Sequence, residues 1–246
     1  MADRLFRILF ADDIVTVSET KAGADPSNIG YLTFVDLKNQ SRSITTLVAA
    51  TQSTATLTGG GRDAERVNAM RVSHEYFDLL GITPALGRTF TASEDQPGAA
   101  RRVVILSDEV WQRRFGADPA AIDRTIDISG IPFRIIGVLP RGFKDLVATR
   151  MYQGAEVWYS LGYDPAASFA CRSCRHLRVF GRLAPGVTPD RASEELKGLT
   201  AGIERPFGWS RPKAPRRFPD WLTWHSAAKP CWPPACSHSS VDSSSG

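Results

Sequence analysis

The stretch that decides the fold reads VSHEYFDLLGITPALGRTF (72–90), then VVILSDEVWQRRFGADP (103–119), then IDISGIPFRIIGVLPRGF (126–143). Ser73 stands where a cap would precede a short helix bearing Tyr76, Phe77, Leu79 and Leu80, and Gly81 can end that helix because glycine tolerates the left-handed conformation. Pro84, Gly87, Pro97 and Gly98 then punctuate a loop-rich connection. VVIL at 103–106 reads as a short buried strand. Ser107 caps the next helix, Asp108 and Glu109 complement its dipole, Val110, Trp111, Arg114 and Phe115 form its inner face, and Gly116 closes it. Residues 125–128 and 133–138 are expected as a hairpin about Ser129-Gly130. The best-specified part of the chain therefore consists of caps, turns and apolar positions, and no residue in it has a clear chemical task.

Working outward, residues 6–20 read as one strand, and a helix is expected after Asp25-Pro26 or Ser27, with Leu32 and Val35 on one face and Tyr31 and Phe34 beside them. Thr- and Val-rich residues 44–58 read as a strand that turns at Gly59-Gly60-Gly61 into a partner at 64–72. Residues 156–161 read as a further strand. At 176–183, Leu177, Val179, Gly181 and Leu183 alternate with His176, Arg178, Phe180 and Arg182, the pattern of a half-buried strand. Thr188-Pro189-Asp190 then opens a helix placing Ala192, Leu196, Leu199 and Ile203 on one side. The fold class expected is α+β: a lobe assembled from 1–80 and 166–205, with a smaller β-rich lobe, 81–165, inserted between them. Residues 206–246 hold seven of the 16 prolines and four of the six tryptophans without periodicity, and are expected to be irregular.

Candidate chemistry is sparse. Cys171, Cys174 and His176 form a CxxCxH cluster: a disulfide, free thiols, a metal site or a redox pair all fit. A zinc site would need a further ligand, with Cys231 or Cys236 returning from the tail. Gly59-Gly60-Gly61-Arg62 lacks the Lys-Ser/Thr ending of a phosphate loop and reads as a hairpin turn, so no ATP hydrolysis is expected. His74-Glu75 reads as the exposed first turn of a helix, and Glu94-Asp95 and Asp12-Asp13 as solvated carboxylates. Arg101-Arg102 and Arg113-Arg114 are expected to be solvated or paired with acids. No cofactor, no catalytic residue and no enzyme activity are expected.

VSHEYFDLLGITPALGRTF, the following SEDQPG (93–98), LSDEVWQRRFGADP (106–119) and IGVLPRGF (136–143), flanked by DAERVNAMRVS (63–73) and HLRVFGRLAPGVTP (176–189), resemble the periplasmic core domain of MacB-type permeases in the FtsX-like family of ABC transporters. The resemblance covers roughly 27–204. It implies porter-like and Sabre-like names for the two lobes, an inner-membrane location with this domain in the periplasm, and a non-enzymatic role. The domain would relay motion of transmembrane helices, driven by a separate ABC ATPase subunit, to a periplasmic adaptor or exported substrate; a homodimer of the full-length permease is also implied. The turns at Gly81, Pro84 and Gly87 would lie between the lobes. A soluble protein binding a peptide or glycan between the lobes is the alternative, and a metal-dependent hydrolase at the CxxCxH cluster a more distant one.

Composition sets the outer bounds. With 42% hydrophobic and 23% charged residues the chain is globular in type, and its net charge of +4 is scattered rather than gathered into a basic stripe, so no nucleic-acid partner is expected. No apolar run approaches the roughly 18–20 residues that span a bilayer. The opening LFRILF, broken by Arg7, is too short for a signal-peptide core. Relatives in the resembled family carry membrane helices on both sides of this domain, so the sequence reads as a truncated copy whose frame departs near Arg205.

Overall fold

The computed structural model describes residues 4–6, 10–11, 14–21, 26–59, 62–96, 102–143, 145 and 154–203. In chain order the strands and helices are β1 (Arg4–Phe6), β2 (Phe10–Ala11), β3 (Ile14–Val17), β4 (Glu19–Lys21), α1 (Tyr31–Gln40), β5 (Ile44–Gly59), β6 (Arg62–Val72), α2 (Tyr76–Leu79), β7 (Leu86–Gly87), β8 (Val103–Leu106), α3 (Asp108–Phe115), β9 (Thr125–Ile128), β10 (Ile131–Val138), β11 (Val157–Ser160), β12 (Arg178–Leu183) and α4 (Pro189–Ile203). The α+β class is as expected.

Apart from β1 and β4, which form a two-stranded sheet of their own, the strands join one mixed sheet in the order β2-β3-β12-β5-β6-β11-β8-β10-β7, while β9 pairs with both β10 and the far end of β5. Following the pairings β5-β6-β11-β8-β10-β9 and back to β5 closes a ring of six strands, sealed where Leu57 and Thr58 meet Ile128 and Asp127. Closure leaves those strands no free edge.

Side-chain alternation sorts the core. Along β5, Leu47 and Ala49 enter one cluster with Val15, Val17, Leu177, Val179 and the helix residues Tyr31, Phe34, Leu37 and Leu196. One residue out of phase with these, Val48 and Ala50 face the opposite side, with Met70, Val72, Ile105, Trp158 and the α2 residues Tyr76, Phe77 and Leu79. Further along, Ala55 and Leu57 point into the ring with Val67, Ala69, Val104, Leu106, Ile126, Ile135, Val157 and Val110 of α3. A period of two places these sets on opposite faces, and both faces are covered, so the central strands read as continuous apolar runs.

Several local expectations are corrected. Residues 6–20 are not one strand: β1 pairs antiparallel with β4, and Phe10 of β2 lies opposite Val15 of β3. The helix begins at Tyr31, after Gly30, and not near Ser27. Ser27 exchanges backbone hydrogen bonds with Glu19, and Ile29 with Leu177, so sheet-like pairing overrides the local cap signal. Tyr31, Thr33, Phe34 and Leu37 form the buried face of α1, with Leu32 and Val35 only half-buried. Ser73 caps no helix; its Oγ accepts from the Ala49 N–H at 2.8 Å. Phe180 is buried as well as Val179, because β12 lies inside the sheet between β3 and β5. By contrast Ser107 accepts from Val110 N–H and Gly116 ends α3 in the left-handed region, as expected. Asp25, Gly60-Gly61, Pro97, Gly98 and residues 206–246 lie outside the described residues.

Candidate functional site

A surface cleft of about 360 Å³ opens between α1 and the segments following β6 and β11. Phe34 and Lys38 of α1 line it, opposite His74, Asp95, Gln96 and Tyr163. Asp95 knots it together. Its Oδ2 accepts from the His74 backbone N–H at 2.9 Å and faces His74 Nδ1 at 3.3 Å, while Oδ1 accepts from the Gly162 N–H at 2.8 Å. One carboxylate thus ties the turn after β6, the connection after β7 and the segment after β11. The preceding Glu94 is 1% exposed; it receives a fork of two bonds from Arg88, at 2.7 and 2.9 Å, and one from the Thr91 N–H at 2.9 Å. The Arg88 guanidinium, aided by Thr91, holds its pKa at about 2 against the opposing effect of burial. The solvated reading of Glu94-Asp95 is therefore wrong. The signal that could have exposed it is Thr91-x-x-Glu94, a capping-box pattern.

The tyrosines of the cleft are donors, not bases. Tyr31 Oη–H donates to the Tyr163 carbonyl at 3.2 Å, and its pKa is raised, chiefly by burial and further by Asp95 and Asp164. Burial pushes the Tyr163 phenol up to about 12. His74 and Asp95 make an acid–base pair in form, but the adjacent Ser73 hydroxyl is spent on both backbone groups of Ala49. Nothing in this arrangement activates a nucleophile. His74 is half-buried rather than exposed, and Glu75 pairs with Lys38.

Behind the cleft, Cys171 and Cys174 are joined in a disulfide, with Cα atoms 5.2 Å apart. His176 has both ring nitrogens engaged: Nδ1 lies 2.6 Å from the Cys174 carbonyl and Nε2 lies 3.1 Å from Tyr163 Oη. A carbonyl only accepts, so Nδ1 carries a proton, and in the neutral ring Nε2 then accepts from the phenol. The paired sulfurs are not thiolates, and this tautomer turns its one lone pair to Tyr163. Among the described residues no group of three His, Cys, Asp or Glu side chains converges as metal ligands would. Cys231 and Cys236 lie outside the described residues, as do Asp12-Asp13 and Arg101.

The remaining candidates are structural in their contacts. Gly81 is exposed, Pro84 half-buried, and Gly87 belongs to the two-residue strand paired with β10. Arg113 pairs with Glu65 and Glu156; Arg114 is buried, not solvated, and binds Glu65 and three carbonyls of the β5–β6 hairpin. Residues unremarked as a site in the sequence, Asp95 foremost, prove to assemble the cleft.

Residues 2–199 match the family model of the MacB-like periplasmic core domain. The macrolide export ATP-binding/permease protein MacB of Chlorobaculum tepidum is 42% identical over 74 residues, which are 29% of this chain and 11% of that protein. An uncharacterized ABC transporter permease of Bacillus subtilis, YvrN, is 26% identical over 133 residues, 50% of this chain and 32% of its own length. The matches thus span a minor part of either relative. The periplasmic region of MacB from Actinobacillus actinomycetemcomitans shares the fold with a TM-score of 0.59 at 18% identity, over 78% of this chain and 84% of that one. The extracellular domain of the transporter YknZ from Gram-positive bacteria does so at 0.52 and 17%, over 82% and 95%. The family match runs across nearly the whole described body, and the chain belongs to the MacB-like periplasmic core domain family of ABC transporter permeases.

Proposed function

We propose that this domain acts as a mechanical relay in an ABC transporter permease, passing motion of membrane helices to a partner protein or an exported substrate outside the cytoplasmic membrane. One observation carries the reading: the first core cluster is built from both ends of the described chain, Val15 to Ala49 and Leu161 to Leu196, with the intervening segment between them. A body entered and left through two chain passages can be moved as a unit by elements attached at each end. In these terms the porter-like lobe is 1–80 with 166–205, and the inserted Sabre-like lobe is 81–165, sharing its barrel core with the distal half of the β5–β6 hairpin. Gly81, Pro84 and Gly87 lie in the connection where the two meet.

The power source would be a cytoplasmic ABC ATPase subunit acting on the permease's membrane segments, with a periplasmic adaptor and a second permease copy as further partners. Among the described residues no helix is long and apolar enough to cross a membrane. The test is a full-length permease carrying this domain, reconstituted with its ATPase. Deleting 27–204 should abolish export while nucleotide hydrolysis persists, and the purified domain should show no ATP turnover. Export that survives the deletion, or hydrolysis by the isolated domain, would overturn the reading.

A further inference from the structure

We propose that the Cys171–Cys174 disulfide is a redox-responsive staple for the wall of the cleft, opened by a dithiol reductant without unfolding the domain. The inference does not depend on the transport reading. It starts from what the short loop touches. Gly30, the residue before α1, lies so close to the loop that a Cβ there would fall 2.1 Å from the Arg172 carbonyl oxygen and 2.6 Å from that of Cys171. The disulfide bends the chain at the point where those two carbonyls meet the start of α1. Two ion pairs anchor the loop, Arg172 within it to Asp36 of α1 at 2.5 Å and Arg175 just after it to the buried Glu19 of β4 at 2.8 Å. Through His176 it reaches Tyr163, whose carbonyl accepts from Tyr31. Tyr31 and Tyr163 both line the cleft.

Two features make this a local device. Both cysteines are only half-buried, so a thiolate can reach them. The ring closed is only four residues long, the size for which a crosslink restrains the unfolded chain least. The clusters behind α2 and inside the ring of strands contain no residue of the loop. In the reaction, one thiolate of the reductant attacks one sulfur, forming a mixed disulfide and releasing the other cysteine. The reductant's second thiol then displaces the bound sulfur. The protein's S–S bond is broken, both cysteines take up protons as thiols, and the reductant leaves as its own disulfide.

The test is hydrogen exchange by mass spectrometry on the full 246-residue chain, oxidised, reduced with dithiothreitol, and reoxidised, with differential alkylation to identify the cysteines. On reduction, amides at 28–34 and 162–177 should exchange up to about twenty-fold faster, those of β6, β8 and β10 should not change, and reoxidation should restore the first pattern. The Cys171→Ser/Cys174→Ser variant should reproduce the reduced state. Unchanged exchange on reduction would make the bond a passive one and overturn the proposal. Faster exchange throughout the chain, or alkylation showing Cys171 or Cys174 joined to Cys231 or Cys236, would overturn it too.

Discussion

Gly87 and Gly137 sit opposite each other across the β7–β10 pair, and neither has room for a side chain. A Cβ on Gly87 would fall 2.1 Å from the Ile136 carbonyl oxygen, and one on Gly137 would fall 2.5 Å from that of Arg88. The obstacles are backbone, fixed by the bonds Ala85 N–H to Val138 O and Arg88 N–H to Ile136 O. Gly87 also has φ +74°, in the region that favours glycine. Gly137→Ala should therefore cost about 2–4 kcal/mol, and Gly87→Ala at least as much, from clash plus backbone strain. Urea denaturation of each variant measures this; a loss below about 1 kcal/mol would show that β7 can lift off without penalty.

The Arg88–Glu94 fork sets an acid limit. Glu94 has its folded pKa lowered to about 2 from 4.5. A depressed carboxylate contributes stability that is fully present above the unfolded value and lost as pH falls through the folded one. The contribution, discounted because Arg88 is 45% exposed, is about 2 kcal/mol. Thermal melts should decline between pH 5 and pH 2 in the native chain by that margin more than in Glu94→Gln, which is already destabilised at neutral pH. Parallel pH profiles for the two proteins would remove the assignment.

What sequence could and could not show follows from the range of the forces involved. Ser107, Gly116 and the Ser129-Gly130 turn were legible because caps and turns are made by neighbours in the chain. The start of α1 was not, because Ile29 is held by Leu177, a partner far along the sequence. The same holds for Asp95, whose partners are His74 and Gly162. The ring of strands was equally hidden: β5 and β9 meet at only two residues, and no local pattern in either predicts it.

Arg114 should be the least replaceable charge in the described body. Its side chain is 1% exposed. Its guanidinium donates to the carbonyls of Gly59 at 2.8 Å, Leu57 at 3.0 Å and Asp63 at 2.6 Å, as well as to Glu65 at 3.1 Å. Removing it strands buried acceptors at the hairpin tip, whereas Glu65 keeps Arg113. Arg114→Met should cost about 3–5 kcal/mol. Arg114→Lys should rescue less than half, since a point charge cannot reproduce the planar fork. Chemical denaturation of the two variants decides; equal stability of the lysine variant and the native chain would contradict the role given to the fork.

Asp95 tests whether the cleft is a built structure. Both its oxygens face donors: Oδ2 the His74 N–H and Oδ1 the Gly162 N–H. Asn can offer an oxygen to only one of them and must turn an NH₂ toward the other, so Asp95→Asn should be nearly as harmful as Asp95→Ala, at about 1–3 kcal/mol. The damage should be local. Exchange of the Gly162 or His74 amide should accelerate, whereas amides of β8 and β10, which pair away from the cleft, should keep their protection. If Asn instead matched the native chain in both melting and exchange, one of the two backbone bonds would not form in solution, and α1 and the segment after β11 would be held by the Tyr31–Tyr163 contact without help from the carboxylate.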